Sequence, residues 1–400
     1  MSRINDLIAE YSSDGVEYKS LQAVASYSDT RIDASELDET SFVGVDNLLP
    51  NKGGKTDANY LPNTARLSAY EVGDVLLGNI RPYLKKVWLA YNSGGCSGDV
   101  LAVRIIEEYR LRIQPEFLYY LLSSDDFFVF NMKHAKGAKM PRGSKDAIMK
   151  YPIPVPPIEV QREIVKVLDT FTELEAELEA ELEARQKQYQ YYRDELLTFD
   201  EDQEDVRWTT LGEVSKSVSS GGTPLKSREE YYGGDIPWLR TQEVRYVDIT
   251  ETEIKITEKA LANSSAKWIP ANCVIVAISG ATAARAAINK IPLSTNQHCC
   301  NMEIDSKKAL YRYVFYWVSK EYERLKALGQ GARGDLNSGI IKSFPIPIPT
   351  LEEQARIVDI LDKFDNLVND LSSGLPAEIK ARRQQYEHYR NRLLTFKEAS

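Results

Sequence analysis

YPIPVPPIEVQREIVKVLDTF at Tyr151 to Phe171 returns as FPIPIPTLEEQARIVDILDKF at Phe344 to Phe364, at a constant offset of 193 residues. The likeness resumes where ARQKQYQYYRDELLTF (Ala184 to Phe199) matches ARRQQYEHYRNRLLTF (Ala381 to Phe396) at an offset of 197, so the second copy carries four extra residues. A weaker echo opens each half, VEYKSLQAV (Val16 to Val24) against VRWTTLGEV (Val206 to Val214). Two units of about 190 residues thus cover nearly the whole chain, and the fold is a duplication before any element is assigned.

Each copy opens on alternating prolines, whose fixed φ and missing N–H make an extended arm that ends the preceding domain. Helix follows. Ile164, Leu168, Phe171, Leu174, Leu178, Leu182, Tyr189, Tyr192 and Leu196 recur at mostly three-and-four spacing, which is a coiled-coil seam. A helix of about 40 residues reaches roughly 60 Å, whereas helices inside one globule usually run about 8 to 20 residues. The second copy offers Leu361, Phe364, Leu367, Leu371, Leu375, Ile379, Tyr386 and Leu393. Between Leu174 and Arg185 the first copy reads LEAE, LEAE, LEAR, and the second keeps the four-residue step with one more unit. Four residues add about 6 Å of rise and about 40° of excess rotation. Ser372, Ser373, Gly374 and Pro376 predict a kink in the second helix. Two like helices in one chain can pair antiparallel about a pseudo-two-fold axis, with a globular domain at each end.

The globular segments share length but little sequence. LSAYEVGDVLLGNI (Leu67 to Ile80) and SAKWIPANCVIVAI (Ser265 to Ile278) each give a turn and then an apolar, β-branched run, a buried strand; FVGVDNL (Phe42 to Leu48) and WLRTQEV (Trp238 to Val244) form another such pair. An aromatic-rich helix (PEFLYYLLSSDDFFVF, LYRYVFYWVSKEY) and a Gly-rich loop (Lys136 to Asp146, Gly329 to Asn337) precede each arm. The expected class is α+β: two similar α/β domains separated by an antiparallel coiled coil of two long helices, a pseudo-two-fold internal repeat. The expected bounds are 1–150 with a short helix over 2–11, 151–203 for the first arm and long helix, 204–343, and 344–400 for the second arm and helix.

Four hundred residues with 43% hydrophobic content suffice for two cores and argue against disorder. No apolar run approaches the roughly 20 residues of a membrane span, and MSRINDLIAEYSSDG has no secretory pattern, so the expected location is cytoplasmic. Cys96, Cys273, Cys299 and Cys300 suit neither a disulfide framework nor a zinc site; buried, reduced thiols are expected, and no metal. The net charge of −9 speaks at first against nucleic acid, but it is unevenly spread. Residues 151–210 hold six Lys/Arg against sixteen Asp/Glu, a net of −10, which leaves +1 for the rest. Lys133 to Lys150 holds six basic residues against Asp146, and 211–343 sums to +4.

Catalytic motifs are missing from the sequence. GQGARG at Gly329 to Gly334 spells the dinucleotide fingerprint, but a helix precedes it and SFPIPIP soon follows, where a strand and then a helix are needed. SGGTPLKS at Ser220 to Ser227 lacks the ending of a phosphate loop, and no methyltransferase or nuclease signature is found. His134, His298 and His388 read as structural or surface residues.

Basic, aromatic and Gly-rich loops remain. Lys133, Lys136, Lys139, Arg142 and Lys145 lie among Gly137, Pro141 and Gly143, so backbone can approach a phosphate while side chains reach base edges. Arg81, Tyr83, Lys85 and Lys86, with Asn47, form a second patch in the first half. The other half offers Thr223, Lys226, Arg240, Thr241, Gln242, Ser279, Arg285, Arg333 and Asn337. Arg and Lys suit guanine edges and Asn and Gln suit adenine; for any single residue, an ordinary solvated position stands equally open.

From about Val16 to Phe396 the chain resembles the DNA-specificity subunit of type I restriction-modification enzymes. PIPVPPIEVQREIVKVLD, PIPIPTLEEQARIVDILD, GLPAEIKARRQQYEHYRNRLLTF and SGGTPLKSREEYYGGDIPWLRTQEV carry the resemblance. It implies two target recognition domains, each reading half of a bipartite site in double-stranded DNA, and a coiled coil that sets the spacer. It also implies two modification subunits that flip and methylate adenine with S-adenosylmethionine, and restriction subunits that use ATP and Mg for translocation and cleavage. No cofactor and no catalysis would belong to this chain. The rivals are a solitary specificity subunit redirecting a host enzyme, a coiled-coil scaffold with two protein-binding heads, and a self-contained methyltransferase or nuclease.

Overall fold

The computed structural model describes residues 6, 10, 15–200, 203–330, 334–370 and 372–399. Apart from Asp6 and Glu10, the expected helix over 2–11 lies outside them, as do Arg333 and Leu371. The chain falls into two units, Met1–Glu179 with Ile379–Ser400, and Ala180–Glu378. Each unit combines one globular segment, the N-terminal part of the helix that follows it and the C-terminal part of the other copy's helix.

The first unit holds β1 (Tyr18–Ser20), β2 (Ala25–Tyr27), β3 (Arg31–Asp33), β4 (Phe42–Val43), β5 (Arg66–Tyr70), β6 (Val75–Gly78), β7 (Val87–Leu89), β8 (Gly94–Cys96), β9 (Val100–Ile105) and β10 (Pro152–Pro154). They form the sheets β2-β9-β6-β7 and β3-β5-β8-β4 and the two-stranded pair β1-β10. β6 in the middle of the first sheet is buried on both faces, so it reads as the continuous apolar run VLLG. Successive side chains of β6 alternate: Val75 and Leu77 join the core with Phe117, Leu118 and Leu121, while Leu76 joins Val43, Trp88, Val100 and Ala102 beneath the second sheet.

The second unit holds β11 (Arg207–Thr210), β12 (Ser215–Ser220), β13 (Tyr232–Leu239), β14 (Asp248–Ile249), β15 (Ile254–Ile256), β16 (Trp268–Ile269), β17 (Val274–Ala277), β18 (Ala286–Asn289), β19 (Leu293–Thr295), β20 (Cys299–Ile304) and β21 (Pro345–Ile348). Its sheets, β12-β20-β17-β18-β14 and β15-β13-β19-β16, reuse the first plan. β4 runs parallel to β8 as β13 does to β19, and β5 and β16 pair antiparallel with β8 and β19. The differences sit at the edges, where β3 flanks β5 in one domain and β15 flanks β13 in the other.

The opening echo now has a cause. β1 pairs with the first proline arm, Tyr18 opposite Pro154, and β11 with the second, Trp208 opposite Pro347. Proline lacks a donor, which confines it to edges such as these. Just beyond each arm sits a fully buried glutamine. Gln161 accepts from Gln114 N (3.0 Å) and donates to the carbonyls of Arg112 and Pro156 (both 2.7 Å). Gln354, 193 residues on, accepts from Leu310 N (2.9 Å) and donates to Pro349 O (2.9 Å) and Lys308 O (3.5 Å). Tyr120 donates to Asp169 as Tyr316 does to Asp362. The duplication thus preserves the joint between domain and helix, hydrogen bond by hydrogen bond.

Three expected elements are divided, one of them the strand expected over Trp238 to Val244, which ends at Leu239 before the 3-10 turn Thr241–Glu243. The first aromatic helix breaks into Pro115–Leu122 and Asp125–Lys133 because the Ser124 hydroxyl accepts from Phe127 N (3.2 Å) and caps a new start. The strand expected over Phe42 to Leu48 ends at Val43, since Asn47 Oδ1 accepts from Gly44 N and closes a turn.

The central helix runs unbroken over Ile158–Leu196, while the C-terminal one is interrupted between Leu351–Asn369 and Leu375–Leu394, where Asp370 accepts from Ser372 N, Ser372 Oγ and Ser373 Oγ. In the first unit Phe171 stacks on Tyr389 (5.5 Å between centroids), and Glu175 and Glu179 pair with Arg383. As one helix rises from 171 to 179 the other descends from 389 to 383, so this segment is antiparallel. In the second unit Tyr192 stacks on Phe364 (5.4 Å), the same pair with the copies exchanged.

The seam needs correction at two places. Leu174 and Leu367 are 39% and 37% exposed, whereas Leu197 and Val368 are buried. Leucines spaced by four drift about 40° per step off a 3.6-residue helix, so a run of them leaves a narrow two-helix contact. Leu168, Leu361, Ile379 and Leu393 are buried, and Phe171, Leu178, Leu182, Tyr189, Leu196, Phe364 and Tyr386 half-buried.

Candidate nucleic-acid interface

In the first domain three loops meet at the end of β6. Arg81 N donates to Pro141 O (2.7 Å), Gly143 N to Asn79 O (3.1 Å) and Asn79 N to Asp99 O (2.8 Å), joining the turn after β6, the Gly-rich loop and the β8–β9 turn. The Gly-rich loop closes on itself, Lys136 and Arg142 exchanging backbone hydrogen bonds. A Cβ at Gly143 would lie 2.5 Å from Asn131 Oδ1 and 2.7 Å from Asn79 Oδ1, so glycine is required there.

This arrangement leaves Arg81, Tyr83, Lys133, Lys136, Lys139 and Lys145 exposed on adjoining segments, a basic and aromatic surface suited to phosphates and base edges. Four other candidates have partners within the domain. Lys85 Nζ lies 2.7 Å from Asp125 Oδ1, and Lys86 Nζ donates to Val45 O (2.6 Å). Asn47 is 7% exposed and also donates to Thr56 O. Arg142, although exposed, is paired with Asp99 (3.1 Å). Each has an internal partner that the local sequence does not disclose.

The second domain repeats the meeting. Ile278 N donates to His298 O (2.9 Å) and Leu336 N to Ile278 O (2.8 Å), and Gln330 and Asp335 exchange backbone hydrogen bonds as Lys136 and Arg142 do. Thr282 Oγ1 donates to Thr241 O (3.0 Å), which brings the segment after β17 beside Thr241 and Gln242. Ser279, Thr241 and Arg285 are half-buried at this edge, and Gln242 and Asn337 exposed. The Asn337 side chain accepts from Ile340 N (3.0 Å) and caps Ser338–Ser343. Arg240 is held by Glu253 and Glu243. Lys226 is exposed on the loop before β13 and belongs to none of these junctions.

Gln297 was not singled out by sequence reasoning and His298 was read as a structural or surface residue; both are exposed on the β19–β20 turn, where Gln297 accepts from Thr223. The only signal was position, since this turn answers the Gly98–Asp99 turn of the first domain. A cleft of about 610 Å³ in the first domain, lined by Arg31, Arg66, Tyr60, Asn63, Ser97 and Asp99, also went unforeseen, because its residues come from widely separated segments. The four cysteines are buried, and burial raises every thiol, Cys96 and Cys273 to about 12 and Cys300 to about 11. Among the described residues no helix is long and apolar enough to cross a membrane.

Comparison with known proteins places this architecture. Residues 90–184 and 203–381 match the model of the type I restriction modification DNA specificity domain. The specificity subunit of the type I restriction enzyme EcoR124I/EcoR124II of Escherichia coli is 40% identical over 259 residues, covering 62% of this chain and 63% of that subunit's length. A putative type I restriction enzyme specificity subunit of Haemophilus influenzae is 32% identical over 299 residues, covering 71% of this chain and 73% of that one. Among solved structures, a chain from work on complex assembly and conformational transition of the type I R-M system is 20% identical, with a TM-score of 0.65 over 95% of this chain and 97% of that one. The HsdS subunit of Thermoanaerobacter tengcongensis gives 0.51 at 20% identity, over 95% and 96%. These last two show the fold alone. With more than half of the chain inside the family model and a relative 32% identical covered over 73% of its length, the chain belongs to the type I restriction-modification DNA specificity family.

Proposed function

We propose that this chain is the sequence-specificity subunit of a type I restriction-modification assembly, that each globular domain reads one half of a bipartite site in double-stranded DNA, and that the helices set the spacer. The observation that carries this is the contrast between joint and loops. Gln161 and Gln354 make the same three kinds of bond, while the loops that meet at the ends of β6 and β17 present different side chains. A scaffold kept alike under surfaces kept different suits one task performed on two targets.

In this reading the helices also dock two modification subunits, and restriction subunits complete the assembly. Those partners supply S-adenosylmethionine, ATP and Mg, and this chain contributes recognition without catalysis. Arg81, Tyr83, Lys133, Lys136, Lys139 and Lys145 face the first half-site, and Thr241, Gln242, Ser279, Arg285, Asn337, Gln297 and His298 the second. The test is DNA binding by the chain with its modification subunits across a salt series. If about four lysines and arginines of the first domain reach phosphates, their part of the log–log slope is about −3.6, at about −0.9 per phosphate. Binding that is absent, or flat with salt, would refute the reading.

A further inference from the structure

Three cations converge on one carboxylate in the first unit. Asp125, in the first turn of Asp125–Lys133, has Lys85 Nζ at 2.7 Å and Lys52 Nζ at 3.1 Å from Oδ1, and its Oδ2 accepts from Arg390 Nη2 at 2.9 Å. Arg390 belongs to Leu375–Leu394, is 1% exposed and lies over the Tyr386 ring. A buried guanidinium is held in place by its charge partner, and removing that partner is strongly unfavourable.

Two turns hang on this node. Asn51 N donates to Leu84 O (2.8 Å) and Lys52 N to Lys85 O (2.9 Å), so the turns at 51–53 and 81–86 are laced together. Arg81, Lys85, Asn51 and Lys52 all have positive φ, between 51° and 65°, a conformation that side-chain-bearing residues keep only where their surroundings enforce it. Beside these backbone bonds, Lys52 and Lys85 are held by Asp125, whose other oxygen is bound by a helix from the far end of the chain. The second unit is built otherwise. Arg193, which answers Arg390 at the repeat offset of 197, pairs with its neighbour Asp194 (3.1 Å), and Glu321, at the place of Asp125, is engaged by Lys320 and Arg324.

We propose that Arg390, acting through Asp125, is a positioning residue for the first recognition domain: the C-terminal helix fixes the turn that presents Arg81 and Tyr83, and among the described residues the second domain shows no carboxylate joining its turns to Arg193. Its effect on reading rests on the specificity role proposed above, whereas the lock itself is testable alone. In the full-length chain, hydrogen–deuterium exchange of Arg390→Met should show the amides of 81–86 and 51–53 exchanging about tenfold faster, with 279–285 unchanged. Asp125→Asn should reproduce this if Arg390→Met fails to fold, and Arg193→Met should leave 81–86 as in the parent. Unchanged exchange at 81–86 in a folded variant of either kind overturns the lock. In the assembled enzyme, Arg390→Met should admit mismatched bases about tenfold more often in one half-site of the methylated motif and leave the other as it was. Equal relaxation of both halves, or of neither, overturns the link to reading. A parent with no bipartite motif overturns the specificity role while the exchange result stands.

Discussion

Replacing Gln161 by methionine should destabilise one unit of this protein selectively. The change roughly conserves volume, so the cavity contribution is small, and what is lost is three hydrogen bonds at a position with no solvent access. Gln114 N–H and the carbonyls of Arg112 and Pro156 would be left facing a thioether, at about 1 to 3 kcal/mol for each buried group without a partner. Allowing for some relaxation, the loss is about 3 to 6 kcal/mol, a large part of the roughly 5 to 15 kcal/mol that holds a domain folded. With a urea dependence of about 2 to 3 kcal/mol per molar, the midpoint of the first unit should fall by about 1 M or more. Pulsed hydrogen exchange along a urea series reads the two units separately through their own peptides. Gln354→Met should move the second unit and spare the first. A shift below about 0.3 M, or equal shifts in both units from either variant, would refute the assignment of these glutamines as independent joints.

Alkali should weaken the fold before it reaches ordinary unfolding conditions. Burial raises Cys96 and Cys273 from 9.0 to about 12 and Cys300 to about 11, so the folded state holds protons that the unfolded state has released. Stability is therefore complete below about pH 9 and declines as pH climbs toward 11, by about 1.4 kcal/mol per thiol at pH 10. A urea midpoint that is the same at pH 8 and pH 10 would contradict this. Deleting Leu178 to Glu181 should shorten the methylated motif's spacer by about one or two base pairs, since four residues of helix rise about 6 Å against 3.4 Å per base pair, and should leave both half-sites intact. Methylation mapping that found the old spacer would dismiss the ruler.

The duplication, the proline arms and the strands buried on both faces were legible because each is a periodic or compositional signal. Alternating prolines announce extended chain, and runs such as VLLG and VIVA announce strands with no solvent face. Leu174 and Leu367 misled because a four-residue step resembles a seam locally but drifts from it over several turns. The candidate interface was legible as a set of loops and much less as a set of residues. Lys85 and Lys86 read as surface cations, yet their partners Asp125 and Val45 lie 40 and 41 residues away. Arg390 finds Asp125 across 265 residues, a pairing no local pattern announces. Gln297, and a place at the candidate interface for His298, became visible only when the fold matched their turn to Gly98–Asp99.

The central claim is that this chain chooses a DNA sequence for an enzyme assembled around it. Single-molecule methylation mapping of the source cell, with and without the gene for this chain, tests that claim most directly. The account predicts that one motif, two short specified halves around an unspecified spacer, carries methyladenine in the parent and loses it in the deletion strain. A methylome unchanged by the deletion would contradict it.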